Sequence, residues 1–261
     1  MQKTVRKLLR AVADYDPDYY DMYADQNEAF FARLYLERIR RHAETAGIRP
    51  GAKVLEAGCQ AGRLVVPLAK MGFEVTGVDT SGFALRRARE HAKQAGVTAT
   101  FVQGKVQEVL TDHPEWRYDI VVCAEVLYLC RDYREILRTL AGAVRPGGLL
   151  CVSHRPKFYY LLEALKQYDL ESAAQVQSRW EGPFRDAAYY NWQTEDELRR
   201  LYASLGLTWQ ALYPIDRFAW LSGANPSQLT SEQRDQLREL ELASTEATSM
   251  ARYVLVIAQR P

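Results

Sequence analysis

Between residues 50 and 155 the chain alternates short apolar runs with longer amphipathic stretches, and this rhythm restricts the possible folds more than any other feature. The apolar runs are rich in β-branched residues, and the one at 118–124 is almost continuously hydrophobic, as in strands covered on both faces. The stretches between the runs repeat apolar residues at helical spacing. The pattern predicts an α/β domain with a doubly wound, mostly parallel sheet and helices on both faces.

The pattern also predicts where the elements lie. Seven strands are expected, at residues 54–57, 73–79, 100–102, 118–124, 149–153, 207–213 and 252–259. Helices are expected at residues 28–46, 64–71, 82–95, 132–144, 194–205 and 231–243, the last as a solvated charged face. We interpret the whole chain as one domain, divided into a helical cover (1–49), a core (50–154), an aromatic inserted cap (155–193) and C-terminal strands (194–261) with an insertion at 214–250.

Composition argues against several classes of protein. The 34 Lys and Arg balance 33 Asp and Glu, which argues against an obligate nucleic-acid binder. The four cysteines form no CxxC pair, so neither a disulfide framework nor a zinc site is expected. No segment approaches the roughly 18 consecutive apolar residues of a membrane span. We therefore expect a soluble, cytoplasmic protein without a membrane partner.

The segment that carries most functional information is Val54–Arg63, where the first strand turns into the first helix of the core. In doubly wound sheets, ligands bind at the carboxyl ends of strands near this point. Gly58 and Gly62 allow the backbone to approach a ligand closely. Asp79 ends the second strand about twenty residues on, where a carboxylate can accept hydrogen bonds from a ribose. These residues predict a nucleotide-type cofactor.

The glycine spacing argues against a dinucleotide. A dinucleotide fingerprint has glycines at relative positions one, three and six, which here are Gly58, Gln60 and Arg63, so only the first matches. Glu56, just before the turn, would repel a pyrophosphate. The same carboxylate would attract a cationic cofactor in a semi-enclosed site.

With these features the chain resembles the class I S-adenosylmethionine-dependent methyltransferases, which have a Rossmann-like sheet. Their first motif, Glu/Asp-x-Gly-x-Gly-x-Gly, is matched at Glu56, Gly58 and Gly62, with Gln60 in place of the middle glycine. The similarity extends over residues 50–155. It includes segments 77–81 and 118–127 and the turn at 145–148. The resemblance implies an enzyme that uses S-adenosylmethionine as its methyl donor.

Within this class, residues 101–108 and 125–129 look like the ubiquinone-biosynthesis type of O-methyltransferase. That type carries Glu-His where this chain has Tyr128-Leu129, so no metal site is expected. Many class members carry an aspartate where Lys105 stands, as a partner for the adenine amino group. A charged lysine cannot accept a hydrogen bond, so adenine is expected to be read by the backbone or by Gln107.

The resemblance implies a set of cofactor-binding residues, with Cys59 contacting the cofactor through its backbone. They are Tyr23, Glu56, Ala57, Gly58, Cys59, Gln60, Gly62, Asp79, Thr80, Lys105, Val106, Gln107 and Ala124.

The acceptor is expected to be a small molecule methylated on oxygen or nitrogen, and the aromatic cap favours a flat or aromatic one. His154, which ends the fifth strand, is the candidate general base and also a substrate contact. Tyr128, Tyr159 and Trp192 are the other candidate substrate-binding residues.

Two alternatives stay open at this point. The same chemistry with an RNA or protein acceptor would require a basic patch beside the pocket. A non-catalytic module that only binds S-adenosylmethionine is suggested by the departures at Gln60 and Lys105. The sequence leaves the oligomeric state open.

Overall fold

The computed structural model describes residues 19–185, 187–244, 246 and 248–261, and of residues 187 and 188 only the backbone. Their nine strands are β1 (Lys53–Ala57), β2 (Glu74–Asp79), β3 (Thr100–Gln103), β4 (Tyr118–Cys123), β5 (Val144–His154), β6 (Glu181–Phe184), β7 (Ala187–Asn191), β8 (Thr208–Ile215) and β9 (Tyr253–Gln259).

Seven of these strands form one sheet in the order β3-β2-β1-β4-β5-β9-β8. Neighbouring strands from β3 to β5 are parallel, whereas β9 runs antiparallel to both β5 and β8. The predicted seven-stranded, mostly parallel sheet is therefore confirmed. The strand order reverses between β1 and β4, which is where a doubly wound fold forms its ligand-binding crevice.

The helices cover both faces of this sheet. They are α1 (Gln26–Thr45), α2 (Val65–Lys70), α3 (Gly82–Gln94), α4 (Val106–Asp112), α5 (Tyr133–Ala143), α6 (Lys157–Leu165), α7 (Leu170–Ser178), α8 (Glu195–Ser204), α9 (Phe218–Ser222) and α10 (Ser231–Ala243). Helices α1 to α3 contribute to one hydrophobic core, and α4, α5 and α8 to the other. Adjacent strand residues show why both cores form: Val54 is buried in the first core and Leu55 in the second, since successive side chains of a strand point to opposite faces.

The predicted element boundaries hold to within a few residues, except for β5. This strand begins at Val144 instead of residue 149, because Val144 already pairs with Tyr118 of β4 before an irregularity in the register. The box Thr194–Glu197 caps α8 as the sequence indicates, with both reciprocal hydrogen bonds present.

The cap consists of α6, α7 and the β6–β7 hairpin, and it has a hydrophobic core of its own. That core contains Tyr160, Ala164, Val176, Phe184 and Trp192. The hairpin is fixed to the main body by the side-chain amide of Asn191, which donates to the carbonyls of Leu127 (2.7 Å) and Cys130 (3.2 Å). The cap therefore stands over the turn that follows β4.

The insertion after β8 contains α9 and α10, and α10 differs from the expected solvated face. Glu241, near its end, is 1% exposed. Its carboxylate accepts hydrogen bonds from the backbone amides of Arg217 (3.0 Å) and Phe218 (2.7 Å) at the start of α9. This carboxylate satisfies amides that the helix itself leaves without partners. Among the described helices, none is long and apolar enough to cross a membrane.

Candidate functional site

A cavity of about 620 Å³ lies at the carboxyl ends of β1, β2 and β4, within the usual size range of small-molecule sites. Its lining residues are Met22, Glu56, Ala57, Gly58, Cys59, Gln60, Arg63, Val78, Asp79, Thr80, Gly104, Lys105, Val106, Gln107, Cys123, Ala124, Glu125, Val126, Tyr128, Leu129, Cys130, Asp132 and Ile136. Four of these carry carboxylates and two carry cations, so the lining favours a cationic ligand over a pyrophosphate.

The loop after β1 can follow its path only with glycine at position 58. Gly58 has φ +77°, and a Cβ placed there would lie 2.3 Å from Cγ2 of Val126. The amides of Gly58 and Cys59 both donate to the carbonyl of Val78 (2.8 and 3.1 Å), which joins the loop to β2. Gly62 also has a positive φ, of +85°, but it packs against α3 and does not line the cavity.

Gln60 replaces the family's middle glycine for a reason that the structure supplies. Its φ is 43°, an uncommon value for a residue with a side chain. Its side-chain amide donates to the carbonyl of Tyr20 (2.7 Å) and accepts from the amide of Met22 (3.2 Å). Gln60 thus holds the segment before α1 against the glycine loop.

Asp79 lies at the end of β2 with its carboxylate held in place by two backbone amides. One oxygen accepts from Gln60 (2.9 Å) and the other from Ser81 (2.8 Å). The helix-capping role belongs to Ser81, whose hydroxyl accepts from the amide of Ala84 (3.2 Å). Asp79 is therefore oriented towards the cavity without being used as the cap.

Glu56 is the buried acid of the site, with 4% of its surface exposed. Its Oε2 atom has no hydrogen-bond partner among the described residues. Burial raises the pKa of this carboxyl to about 8, against the opposing effect of the Arg63 charge. A cationic ligand would stabilise the ionised carboxylate of Glu56 and would give its Oε2 atom an interaction partner.

The far end of the cavity is formed where β3 passes into α4. Lys105 lines it, but its ammonium group is exposed and bonds to Glu108 (3.1 Å). The side-chain amide of Gln107 donates to Asp132 (2.7 Å). Both side chains are therefore engaged with carboxylates at the cavity rim.

Tyr23 is placed differently from the prediction. Its ring stacks on His91 of α3 with the centroids 4.2 Å apart, and it does not line the cavity. His91 in turn bonds to the carbonyl of Ala61 (3.0 Å) and lies 3.4 Å from Asp21. Met22 faces the cavity in its place, because neighbouring residues of this segment point in different directions.

A buried ion-pair chain forms one wall of the site. The guanidinium of Arg63 bonds to Glu28 of α1 and to Glu125 after β4, the latter at 2.8 Å. Glu125 lines the first cavity, whereas Glu28 lines a second cavity of about 490 Å³. That second cavity lies between α1 and the insertion, and Phe31 and Trp220 are among its lining residues. The ion pairs therefore separate two adjoining cavities.

His154, the candidate base, is buried in the core and lines neither of these cavities. Its Nε2 lies 2.9 Å from the hydroxyl of Tyr202 on α8. The physical reason is the alternation of strand side chains: Ser153 and Arg155 point to the face that carries α1, and His154 points to the face that carries α8. A general base must be able to reach the acceptor, so this placement contradicts the predicted role of His154.

We expect His154 to stay neutral at physiological pH. Burial lowers the pKa of its imidazole to about 3, compared with an ordinary value of 6.5. Its stability contribution should be present above pH 6.5 and lost as pH falls through 3, because the unfolded chain binds the proton more readily. An NMR titration should show that its imidazole signals, assigned with His154→Gln, do not move between pH 8 and pH 5. A midpoint in this range would contradict the prediction.

The predicted acceptor-binding residues divide into two groups. Tyr128 lines the cavity, and Tyr159 packs on Trp220 with centroids 5.3 Å apart. Trp192 is fully buried in the cap core, and its indole donates to the carbonyl of Arg179 (2.7 Å). It therefore stabilises the cap and does not face a cavity, which corrects the prediction.

Among the cavity-lining residues that the sequence analysis did not single out are Glu125, Asp132 and Met22. Glu125 lies two residues after β4, so the strand-end argument that found Asp79 could have found it too. Asp132 and Met22 come to the cavity through irregular segments, for which the sequence has no comparable signal. All four cysteines are free, as expected. No cluster of three or more metal-ligating side chains occurs in the part of the chain that the structure describes, and the expected absence of a metal remains a prediction.

The fold and the site agree with one class of protein, the Rossmann-like methyltransferases. The agreement includes the sheet order, the glycine loop and the acids at the ends of β1 and β2. A family described as "Methyltransferase domain" matches residues 48–215, more than half of the chain, and the chain belongs to this family. The predicted class, S-adenosylmethionine-dependent methyltransferase, is thereby confirmed.

Individual relatives agree with this assignment. A ubiquinone biosynthesis O-methyltransferase of Proteus mirabilis is 32% identical over 57% of this chain and 62% of its own length, so the chain spans less than two thirds of that relative. One of Alkalilimnicola ehrlichii is 33% identical over 65% of this chain and 69% of its own length. A magnesium protoporphyrin IX methyltransferase from Synechocystis, solved with bound SAH, has the same fold: 18% identity, complete coverage of both chains and a TM-score of 0.62.

Proposed function

We propose that this methyltransferase binds S-adenosylmethionine in the 620 Å³ cavity and transfers its methyl group to an oxygen or nitrogen of a small, flat or aromatic acceptor. The observation that carries the proposal is the buried, partly unsatisfied carboxylate of Glu56 beside the oriented carboxylate of Asp79. Glu56 would face the cationic part of the cofactor, and Asp79 would accept hydrogen bonds from the ribose hydroxyls.

The other proposed contacts with the cofactor are inferred from where the cavity-lining residues lie. The backbone of Ala57, Gly58 and Cys59 would lie along the cofactor, and Val106 and Gln107 would flank its adenine. Thr80 and Ala124 complete the wall. The solved relatives support this proposal, since the Synechocystis enzyme has been observed with SAH and with SAM.

The acceptor is proposed to approach from the side of the cap and the second cavity. Aromatic side chains on this side include Tyr128 at the cofactor cavity, Tyr159 on α6 and Trp220 on α9. The sequence relatives are named as ubiquinone biosynthesis O-methyltransferases, and these names support a small acceptor with a hydroxyl group.

The sulfonium of the bound cofactor supplies an activated methyl group. The acceptor would take up that methyl group through a lone pair and give its proton to solvent, leaving S-adenosylhomocysteine. The protein's part is to align the nucleophile with the methyl group and to exclude water. Among the described residues no histidine lines the first cavity, and an amine or a readily ionised hydroxyl would need the least help from a base there.

Calorimetric titration at pH 7, in two buffers of different ionisation enthalpy, tests the cofactor assignment. We expect S-adenosylmethionine and S-adenosylhomocysteine to bind and NAD not to bind. With its pKa at about 8, Glu56 is mostly protonated in the free protein. A bound cation lowers this pKa, so binding should release up to about one proton.

The matched control is Glu56→Gln, which keeps the shape of the side chain and should release no proton. Equal proton release by the two proteins would remove Glu56 from the cation site. If neither ligand binds the wild type, the cofactor proposal fails altogether. Binding without turnover, in a screen of small hydroxylated and amino aromatics with labelled cofactor, would favour the non-catalytic module or an RNA or protein acceptor.

A further inference from the structure

Arg155 is a buried cation that the proposed cofactor site does not use. It directly follows β5, at the same carboxyl edge of the sheet as the cofactor cavity, and is 8% exposed. Because strand side chains alternate, it points to the face opposite His154. It therefore lies on the acceptor side of the sheet edge.

Three tyrosine rings surround its guanidinium. Cζ lies 4.1 Å from the ring centroid of Tyr128, 4.6 Å from that of Tyr159 and 4.5 Å from that of Tyr253. One terminal nitrogen donates to the hydroxyl of Tyr253. Nε has no hydrogen-bond partner among the described residues. We call Arg155 with these three residues the tyrosine cage.

Within the described part of the chain, Arg155 has no carboxylate at ion-pair distance. In this it differs from Arg63, the other deeply buried arginine at this edge of the sheet. Arg63 bonds to two carboxylates. Burial raises the pKa of the Tyr128 and Tyr253 phenols, so these hydroxyls stay neutral and supply no counter-charge. The cage therefore holds a positive charge that no carboxylate of the described residues contacts.

Ring faces stabilise such a cation in part, but Nε–H, an in-plane donor, is left unused. A guanidinium presents its N–H donors in a planar fork that matches a carboxylate. Arg155 itself lines neither cavity, but its ring neighbours adjoin both: Tyr128 lines the cofactor cavity, and Tyr159 packs on Trp220 of the second cavity. An anionic group of an acceptor that extends from the cofactor cavity past Tyr128 would meet Arg155.

We propose that the tyrosine cage binds a carboxylate of the methyl acceptor through Arg155. The inference rests on the proposed function, which it deepens by assigning the acceptor to the aromatic or aliphatic acids. The carboxylate would anchor the acceptor while its nucleophile reaches the cofactor cavity beside Tyr128. A buried charge pair of this kind selects strongly against a neutral analogue, because the neutral analogue leaves the guanidinium unpaired.

The experiment uses benzoate and benzamide as probes of the full chain saturated with S-adenosylhomocysteine. The Nε–Hε NMR signal of Arg155, assigned by its loss in Arg155→Lys, is followed at constant ionic strength. We expect a saturable shift with benzoate and an affinity for benzamide lower by about tenfold or more. Arg155→Gln should weaken benzoate binding by a similar factor. Arg145→Gln is the matched control, because Arg145 pairs with Asp119 at the opposite edge of the sheet.

The proposal is overturned by the absence of a benzoate-dependent shift, by equal responses to the two probes, or by unchanged benzoate affinity in Arg155→Gln. If that variant does not fold, the comparison of benzoate with benzamide on the wild type decides alone. A calorimetric titration with S-adenosylhomocysteine precedes the experiment. If that titration shows no binding, the proposed function is refuted. A benzoate titration of the free protein would then still test whether the tyrosine cage binds a carboxylate.

Discussion

S-adenosylmethionine should bind about 1.5–3 kcal/mol more weakly to Asp79→Ala than to the wild type, roughly a 10- to 150-fold loss of affinity. The carboxylate is pre-oriented by the amides of Gln60 and Ser81. The substitution therefore removes both the proposed hydrogen bonds to the ribose and the support of the loop that carries Gln60. Calorimetry measures the affinity, and urea unfolding measures stability in the same samples.

Ser81→Ala is the control for this experiment. It removes the hydroxyl that caps α3 and should cost about 1 kcal/mol of stability while leaving cofactor affinity nearly unchanged. A loss of affinity that appears equally in both variants would mean that the loop, and not the Asp79 carboxylate, determines binding. Unchanged affinity in Asp79→Ala would refute the ribose assignment.

Arg63→Met should lower the free energy of unfolding by about 3–5 kcal/mol, the effect of breaking a buried ion pair on one side. The guanidinium is 7% exposed and joins Glu28 to Glu125. Without it, two largely buried carboxylates remain near each other and lose the cation that pairs with both of them. Since a domain of this kind is stable by roughly 5–15 kcal/mol, the loss would be a large fraction of the total. Urea denaturation at neutral pH measures it.

Arg40→Met serves as the comparison, because Arg40 is an exposed arginine that also has two carboxylate partners. Arg40 pairs with Glu37 and Glu44 on α1, but it is 39% exposed, so its loss should cost at most about 1 kcal/mol. The deficit of Arg63→Met should shrink as pH falls, because burial raises the pKa of Glu28 and its protonation removes one of the two negative charges. Similar small effects in both variants would show that the chain of ion pairs contributes little.

The cofactor side of the site could be predicted from the sequence because it depends on local features. Glu56 and Asp79 were found as acids at the ends of predicted strands, and parallel strands bring their carboxyl ends to one edge of a sheet. Gly58 was recognised in the turn, and the structure shows that its positive φ and the contact with Val126 require glycine. Gln60 was expected to contact the cofactor, but its bonds to Tyr20 and Met22 were not predicted, because these partners lie 40 and 38 residues away in the chain.

The acceptor side required the tertiary structure. The sequence indicated that His154 ends a strand and that residues 155–193 are rich in aromatics. It did not determine that His154 points to Tyr202, that Trp192 completes the core of the cap, or that Arg155 meets three tyrosines without a carboxylate. Strand and helix positions follow from periodicity and local propensity, which neighbouring residues carry. The face to which a strand-end side chain points, and the partners that it meets there, depend on how distant segments pack, and only the folded chain decides this.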